Sequence, residues 1–555
     1  MTNAPARRFR LGGLRLTAAD GETLVDALAR RGLPRVVRSV RYHRPRAPFC
    51  GTGDCAGCLV RLNGRPNVRA CRHPIEEGDR IEGSNGWPSA AVDLLGAVDV
   101  LFPHGIDTLR GFRRPAFATR LYHRVIRRLA GYSAAPDGAA AAGLRAPARE
   151  LTADVVVVGG GVAGSAAAAR LAAAGRSTVV VDRRFAPAAV AGATSIPAAQ
   201  VTFLPPPAAG RDVPFELLGF AEPAQGLRLR SRAVVVATGG YDASLLFGGN
   251  DRPGVMAAEL ALRLAADGRR PPFAHPVIVG GGSRAGALLE RLGRSVVAVV
   301  APGEIAPEVA ARASALEVPL YPRSLVLEAA GRRRVHTLRL RGRGDGPAFS
   351  ISCDAVLLAH RRLPVVQLFF QAGAAMAWRG DPGAYYPHLS ADGATTVPGL
   401  FAAGTVAGAD GPAAAESGLR AAEAVLAGAP PGPAPSAPPP PADAGPLEGY
   451  YRELLREPRH GKWIACPCED VLADEVETAH ARGYQGIEVI KRYTALGTGV
   501  CQGRYCLPDA LLLLAILEGR PPPAVGYITQ RPPVVPTPLG ALASLPPATA
   551  PEVVA

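Results

Sequence analysis

Eight of the nine cysteines fall into two groups near opposite ends of this 555-residue chain. The first group reads C-x4-C-x2-C followed by one distant cysteine, and its members are Cys50, Cys55, Cys58 and Cys71. Plant-type proteins hold a [2Fe–2S] cluster with this spacing, because glycines in the loop let three thiolates converge. We therefore predict a [2Fe–2S] cluster at these four cysteines, with a structural zinc site as the alternative.

The second group lies in the segments CPC and CQGRYC, and its members are Cys466, Cys468, Cys501 and Cys506. A C-x-C pair and a C-x4-C pair separated by 32 residues fit neither a zinc hook nor the plant-type loop. The arrangement resembles the small helical [2Fe–2S] domain of bacterioferritin-associated ferredoxins. This resemblance implies a second [2Fe–2S] cluster, with zinc or an empty site as the alternatives. The ninth cysteine, Cys353, opens an apolar stretch and is predicted to be an inert buried thiol.

The composition, with 48% hydrophobic and 20% charged residues, indicates a globular protein of several domains. The net charge of +15 raises the question of a nucleic-acid partner. Nearly all of the positive charge is arginine, however, since Lys462 and Lys491 are the only lysines, and no dense basic run is interleaved with aromatic residues. We therefore expect no nucleic-acid partner.

The N-terminal segment lacks the apolar core of a signal peptide, and the apolar run LPDALLLLAILEG is too short to span a bilayer. We expect no transmembrane segment and a cytoplasmic location, with peripheral contact at the inner face of the membrane as an option for the basic surface. Structural disulfides are disfavoured in that reducing compartment, which favours metal or redox chemistry for the clustered cysteines.

A dinucleotide-binding fingerprint lies between the two cysteine groups. A valine-rich strand leads into the turn Gly159-x-Gly161-x-x-Gly164, an alanine-rich helix and a second strand that ends at Asp182. Glycines in this pattern let the backbone approach a pyrophosphate at the helix N-terminus, and the acidic residue binds a ribose hydroxyl.

Two later stretches resemble motifs of two-dinucleotide-domain flavoproteins. RAVVVATGG resembles their ATG strand, and TTVPGLFAAGTVAG resembles their second FAD motif, with Thr405 where that family has an acidic residue. The resemblance implies FAD as the nucleotide, and because relatives hold NAD, ATP or an interfacial FMN at such sites, these stay alternatives. The predicted nucleotide contacts are Gly159, Gly160, Gly161, Val162, Ala163, Gly164, Asp182, Arg183, Ala237, Thr238, Gly239, Gly404 and Thr405.

A second glycine-rich turn, Gly280-x-Gly282-x-x-Ala285, opens an inserted nucleotide fold. The strand after it ends at Ala301 with no acidic residue that could hold a ribose. A working NADH site and a retained but idle domain both stay open.

We predict a multidomain α/β protein: an N-terminal β-grasp ferredoxin-like domain, a two-dinucleotide-binding-domain, Rossmann-like flavoprotein core and a small C-terminal helical [2Fe–2S] domain. The predicted ranges are 8–95 for the ferredoxin-like domain, 96–150 for a connecting segment with a basic helix, 151–428 for the flavoprotein domain with its inserted subdomain at about 273–360, 429–447 for a Pro-rich linker, 448–520 for the C-terminal cluster domain and 521–555 for the tail.

Together with the flavin motifs, the segments VRSVRYHRPRAPF, FGGNDRPGVM, KRYTALGTGVCQGRYC and RPPVVPTPLGALA resemble the alpha subunit of heterotetrameric sarcosine oxidase. They equally resemble the related subunits of opine oxidase, D-hydroxyproline dehydrogenase and hydrogen cyanide synthase. The resemblance implies an oxidoreductase subunit that receives electrons from a separate FAD subunit related to D-amino-acid oxidases, where the amine or imino acid is oxidised. It leaves quinone, oxygen and a soluble carrier open as the electron acceptor.

Two other functions stay open: a self-sufficient NAD(P)H-dependent flavin and iron–sulfur reductase, and a non-enzymatic iron–sulfur carrier. We assign no catalytic residue, because no acid–base or nucleophile constellation accompanies the flavin motifs. The lone histidines His43, His275 and His360 are interpreted as structural.

Overall fold

The computed structural model of the chain describes residues 6–32, 36–105, 146–266, 271–344, 346–433 and 445–545. The basic helix predicted in the connecting segment, most of the Pro-rich linker and the last residues of the tail lie outside the described residues.

The N-terminal domain is built on a mixed five-stranded sheet, against which the short helix Leu24–Ala29 lies. Its first strand pairs in parallel with its last, which is the predicted β-grasp arrangement. The helix Leu24–Ala29 begins in a capping box, in which the Thr23 hydroxyl accepts the Asp26 amide and the Asp26 carboxylate accepts the Thr23 amide. In sheet order the strands are Leu14–Ala18, Arg7–Leu11, Arg80–Glu82, Leu59–Leu62 and Arg65–Arg69. A separate pair, Val37–Arg38 with Pro45–Arg46, and the helix Ala97–Leu101 complete the domain.

The second domain is built on a seven-stranded sheet. The strands Arg149–Val158 and Gln225–Val236 pair in parallel at its centre, and the helices Val162–Ala173 and Pro412–Leu426 pack on each other above it. Valine runs in both central strands suit a strand that is buried on both faces. In sheet order the strands are Thr194–Ile196, Thr178–Val181, Arg149–Val158, Gln225–Val236, Phe215–Ala221 and Ala199–Phe203, with Leu400–Ala402 also paired to Gln225–Val236.

A five-stranded parallel sheet is inserted in sequence between the last two strands of that domain's core. It includes Val255–Ala257, upstream of the predicted start of the inserted subdomain at about 273. In sheet order its strands are Val255–Ala257, Ala355–Leu358, Pro276–Val279, Ala298–Val300 and Leu320–Tyr321, and its helices are Ala258–Leu264, Ser283–Leu292 and Pro307–Ala315. The smaller elements are an antiparallel sheet of Ser324–Ala330, Thr337–Gly342 and Ala348–Ser352, the pairs Gly240–Asp242 with Arg362–Pro364 and Met376–Arg379 with Ala384–Pro387, and the helix Gln367–Gln371.

The C-terminal domain is mainly helical, as predicted, with one short strand pair. Its strands are Ile464–Cys466 and Val471–Leu472, and its helices are Pro446–Leu454, Ala473–Ala481, Ile487–Thr494 and Leu507–Glu518. In the tail, the helix Pro522–Val525 packs on Leu507–Glu518, and the helix Leu539–Ser544 packs on the strand Gln225–Val236. In the part of the chain that the structure describes, no helix has the length and apolar character needed to cross a membrane.

The two ends of the chain are packed into each other. Cys50 and Cys55 lie in the same hydrophobic core as all four C-terminal cysteines. The rings of Phe49 and Tyr505, which directly precede Cys50 and Cys506, have centroids 5.4 Å apart, so the two cysteine groups are neighbours in the fold although the sequence separates them by some four hundred residues.

Buried ion pairs fix this docking. Arg46 pairs with Asp470, which follows the CPC segment, and with Asp251 at 2.6 Å. Arg44 also pairs with Asp251, at 2.8 Å, and the Arg41 amide donates to Asp470 at 2.8 Å. Burial alone would raise the pKa of Asp251, but Arg44 and Arg46 hold it well below its ordinary value. Because unpairing a buried charge costs about 3–5 kcal/mol, these contacts hold the three domains in one arrangement.

Candidate functional site

The four N-terminal cysteines are buried, and none forms a disulfide. The hairpin Leu59–Leu62 with Arg65–Arg69 draws together the two cysteines at its ends, because Cys58 precedes its first strand and Cys71 follows its second. The thiols in hydrogen-bonding contact are Cys50 with Cys55, Cys50 with Cys71, and Cys58 with Cys71.

Glycines shape this loop as the sequence predicts. Gly51 and Gly53 adopt φ angles of 74° and 84°, in the left-handed region that side chains disfavour. A Cβ atom at Gly57 would lie 2.3 Å from the carbonyl oxygen of Ala47. The chain can therefore pass close enough to itself to present three cysteines from one loop.

Backbone amides point at two of the sulfurs. The Thr52 amide donates to Cys50 Sγ and the Gly57 amide donates to Cys55 Sγ, each at 3.4 Å. Burial alone would raise the pKa of Cys50, but hydrogen bonds from Cys55, Cys71 and the Thr52 amide hold it well below its ordinary value. Thiolates stabilised by amides are the donor set that an iron–sulfur cluster needs.

The four C-terminal cysteines are brought together in the same way. They are buried and free of disulfides, and Cys506 lies at the N-terminus of the helix Leu507–Glu518. A Cβ at Gly499 would lie 2.4 Å from Cys468 Cβ, so the two segments approach closely. The contacting thiols are Cys468 with Cys501, Cys501 with Cys506, and Cys466 with Cys506.

Within the described ranges, no group of three or more histidine, cysteine or acidic side chains is placed so that it could hold a metal ion. The assignment of the eight cysteines to two clusters thus rests on their sulfur-to-sulfur contacts, on the amides at the first site and on the comparisons given below.

The remaining thiol and the lone histidines agree with structural roles. Burial raises the pKa of Cys353 to about 12, which makes it a poor nucleophile. His43 Nδ1 lies 3.0 Å from the Asp93 carboxylate, and burial lowers the pKa of His360. The backbone amide of His275 donates to the Asp354 carboxylate, which is a structural contact.

The first glycine-rich turn connects the central strand Arg149–Val158 to the helix Val162–Ala173. Gly159 has a φ of 107°, and a Cβ there would lie 2.3 Å from the Ala237 carbonyl oxygen. A Cβ at Gly164 would lie 1.8 Å from the Gly159 carbonyl oxygen, so the helix touches the turn. A Cβ at Gly161 would meet nothing within 4 Å. Gly159 and Gly164 therefore allow close packing of strand, turn and helix. Gly161 borders open space at the helix N-terminus, where an anion is favoured.

Asp182 lies at the end of the next strand, as predicted. Its carboxylate accepts the Gly160 amide at 2.8 Å and pairs with Arg184 at 2.7 Å. Burial alone would raise the pKa of Asp182, but the hydrogen bonds from Arg184 hold it below its ordinary value. The acid is therefore ionised and held beside the turn, where a ribose hydroxyl would be bound.

Two adjoining cavities surround the turn, with volumes of about 310 and 400 Å³. Gly161, Ala237, Gly239 and Arg362 line both of them. This is the size range of small-molecule and cofactor sites. The first cavity also takes in Gly159, Gly160, Asp182, Arg183 and Thr238, and the second takes in Val162, Ala163, Gly404 and Thr405, while Gly164 packs beneath the turn.

Thr405 shows how the chain supplies an acid that its second flavin motif lacks. The Thr405 hydroxyl donates to the Asp410 carboxylate at 2.5 Å, and both residues line the second cavity. The sequence motif expects the acidic residue directly after Gly404. It therefore does not detect Asp410, which follows a few residues later and whose carboxylate lines the same cavity.

The second glycine-rich turn has no comparable acid. Its strand ends at Val300, and the first acidic residue after it, Glu304, is exposed and pairs with Arg323. At the start of the helix, Arg284 is paired with Asp242 and Glu259, both at 2.8 Å. The charged groups near this turn are thus already partnered.

Asp54 and Arg504, like Asp410, are residues that sequence reasoning missed. Asp54 lies in the first cysteine loop and Arg504 in the second, and the two side chains form a buried ion pair. Arg183 Nη1 donates to the same carboxylate at 2.8 Å, and all three residues line the first cavity. Arg504 Nε is buried and has no hydrogen-bond partner among the described residues. A charged residue inside each cysteine loop was the only signal that the sequence offered.

The fold and these sites define a class: a two-dinucleotide-domain redox protein with a ferredoxin-type domain at one end and a cysteine-rich helical domain at the other. Two family models match the chain. The 2Fe-2S iron-sulfur cluster binding domain matches residues 7–86, and the Sarcosine oxidase A3 domain matches residues 461–545. The first match confirms the prediction of a [2Fe–2S] cluster in the N-terminal domain.

Two relatives are similar to this chain over different extents. Sarcosine oxidase subunit alpha of Rhizobium meliloti (strain 1021) is 28% identical to this chain. The alignment is 589 residues long and covers 96% of this chain and 57% of the relative. Hydrogen cyanide synthase subunit HcnA of Pseudomonas aeruginosa is 40% identical over 74 residues, which cover 13% of this chain and 70% of the relative. The chain is similar to the sarcosine oxidase alpha subunit along nearly its whole length, and it spans little more than half the length of that relative.

A solved structure confirms the fold over the whole chain. The L-proline dehydrogenase from P. horikoshii aligns with a TM-score of 0.66 and 18% identity, covering 98% of each chain. The predicted multidomain α/β architecture is therefore confirmed.

Proposed function

We propose that this chain is the electron-transfer subunit of a flavin-dependent amine or imino-acid dehydrogenase or oxidase. It takes electrons from a partner FAD subunit of the D-amino-acid-oxidase type and passes them through its own flavin and two [2Fe–2S] clusters to an acceptor. One observation carries the proposal: a single cavity is lined by the nucleotide-site acid Asp182 and by a residue from each cysteine loop, Asp54 and Arg504. Carriers must lie close together to exchange electrons, and this arrangement brings the three candidate sites together.

FAD fits the two adjoining cavities better than a smaller ligand. The Asp182 carboxylate is placed for a ribose hydroxyl, and Gly161 leaves room for a pyrophosphate at the helix N-terminus. Gly404, Thr405 and Asp410 offer polar groups to the ribityl side. FAD supplies the conversion from two-electron to one-electron transfer, which the clusters need. ATP or an interfacial FMN, each a mononucleotide, would fill only part of this space, and NAD is the alternative dinucleotide.

The C-terminal cysteines hold the second cluster in this proposal. Their support is the contact of each thiol with another of the same set and the match to a family domain over residues 461–545. Zinc would bind the same thiolates, and it would carry no electron. The metal content therefore separates the two readings.

The substrate class is a secondary amine or amino acid of the sarcosine, opine, hydroxyproline or glycine type, which the partner oxidises. The support is the similarity of this chain to a sarcosine oxidase subunit and to a hydrogen cyanide synthase subunit. Both are subunits, which favours a hetero-oligomer. The electron acceptor is a quinone, oxygen or a soluble carrier.

The test is an anaerobic titration, followed by flavin and cluster absorbance. The isolated chain should stay oxidised with sarcosine, proline, hydroxyproline, opines and glycine, and should bleach when the partner subunit and its substrate are both present. Bleaching of the isolated chain by one of these amines would place the substrate site on this chain. Rapid bleaching by NADH without the partner would support the self-sufficient reductase instead.

A further inference from the structure

The two cysteine loops meet at a pair of opposite charges. Asp54 is the residue before Cys55 in the first loop, and Arg504 lies two residues before Cys506 in the second. They are 450 residues apart in sequence and directly paired in the fold. Both residues are buried, with an exposed fraction of 6% for Asp54 and 5% for Arg504.

The pair is held from several sides. The Asp54 carboxylate also accepts the Thr52 hydroxyl at 2.7 Å and Arg183 Nη1 at 2.8 Å. Next to Arg504, the Tyr505 ring packs edge-on against Phe49 with centroids 5.4 Å apart. Phe49 directly precedes Cys50, so the residues beside both loops' cysteines are in contact.

A buried charge at such a place acts strongly on its surroundings, since water screens it little. A negative carboxylate disfavours the addition of an electron to a neighbouring cluster, and a positive guanidinium favours it. Here the first loop carries the negative charge and the second carries the positive one. Opposite charges therefore lie beside the two candidate clusters, at the point where the two cysteine loops meet.

We propose that Asp54 and Arg504 form a charged bridge that positions the two cluster loops for direct electron exchange and sets the difference between the two clusters' reduction potentials. Exchange moves one electron from the reduced cluster to the oxidised one, and no proton or other reactant is needed. The inference rests on the proposed electron-transfer function, and it names the residues that control the step between the clusters.

The experiment is a redox titration of the full chain, purified anaerobically and followed by electron paramagnetic resonance. Asp54→Asn should raise the potential of the N-terminal cluster, and Arg504→Gln should lower that of the C-terminal cluster. We expect each to change the cluster's reduction equilibrium by about tenfold, which is about 59 mV for one electron. Shifts of the same sign in both variants, or no shift in either, would overturn the proposal.

Two control variants separate charge from architecture. Arg504→Lys keeps the positive charge and should keep both potentials close to those of the unaltered chain. Asp251→Asn removes another buried interdomain carboxylate that pairs with two arginines outside the cysteine loops, and it should leave the potentials in place. If Asp251→Asn shifts them as Asp54→Asn does, loosened docking explains the effect and the charged bridge is wrong.

A spectrum of the fully reduced chain gives a second measurement, which does not depend on Asp54→Asn loading its cluster. Neighbouring clusters should broaden or split each other's signal, and Cys501→Ser should leave one simple signal. If the spectrum equals the sum of two isolated clusters, direct exchange is excluded. The titration with the partner and its amine, by contrast, tests the proposed function, so the two can fail separately.

Discussion

The two glycine-rich turns are nearly the same locally and differ in what surrounds them. Gly161 and Gly282 each lie just before a helix with extended backbone, at ψ of −169° and −165°. A Cβ at either position would meet nothing within 4 Å. The first turn has the buried acid Asp182 and a cavity of about 310 Å³ beside it. The second turn has an exposed glutamate, Glu304, that is already paired.

This difference teaches that a glycine fingerprint specifies a turn and a helix start, and that the ligand is specified elsewhere. The backbone shape follows from close approaches of strand, turn and helix. Free space does not separate the two turns, because Ser283 and Arg284 at the start of the second helix line the second cavity. The acid at the end of the next strand is therefore the difference that bears on binding. We propose that the second fold binds no nucleotide, and the same change at both turns tests this proposal.

The largest expected effect is on nucleotide content. Gly161→Asp should reduce the bound nucleotide by at least about a hundredfold, because a carboxylate would stand where the pyrophosphate lies against the helix N-terminus. A Cβ at this position meets nothing within 4 Å, so the first atom of the new side chain needs no rearrangement of the turn. The measurement is the nucleotide released per chain on denaturation, with the N-terminal cluster signal as the folding check.

Gly282→Asp is the matched control, since it too adds a side chain into open space before a helix. It should leave nucleotide content unchanged. Loss of nucleotide from Gly282→Asp together with retention in Gly161→Asp would reverse the assignment of the two folds.

A smaller effect is expected on stability, with opposite signs in the two helices. Gly164→Ala would place a Cβ 1.8 Å from the Gly159 carbonyl oxygen, whereas Gly286→Ala would make an ordinary contact with Val309 at 3.6 Å. We expect the first to lower the local free energy of unfolding by about 2 kcal/mol, and the second to raise it by about 0.5–1 kcal/mol. Hydrogen exchange of the two helices measures both. Equal effects would show that the first helix is not held tightly to its turn.

The smallest effect concerns the ribose acid. Asp182→Asn should weaken nucleotide binding about tenfold, or about 1.4 kcal/mol, because a charged acceptor is lost beside Arg184. Glu304→Gln in the second fold should change nothing. The pKa of Asp182 is held below its ordinary value. The contribution of the Asp182 carboxylate to nucleotide affinity is therefore complete at any pH above the ordinary pKa, and it is lost as pH falls through the lowered pKa. Affinity that is flat between pH 5 and 8 would agree, and a titration in that window would contradict the assignment.

The sequence predicted the parts of this molecule that are local. The C-x4-C-x2-C spacing, the Gly159–Gly164 turn and Asp182 are each set by a few neighbouring residues with fixed geometry. The contact of Asp54 with Arg504 depends on how three domains dock, and no pattern within either loop reports it. Asp410 was missed for a related reason, because a loop returns its carboxylate to the position where the motif expects an adjacent acid.

The central claim is that the chain carries three electron carriers in one connected arrangement. An anaerobic reductive titration with dithionite, followed by absorbance and paramagnetic resonance, counts the electrons that each chain takes up. The account predicts about four, two for the flavin and one for each [2Fe–2S] cluster, and about three for Cys501→Ser. An uptake of about three or fewer by the unaltered chain would contradict it, because at least one of the three carriers would then be missing.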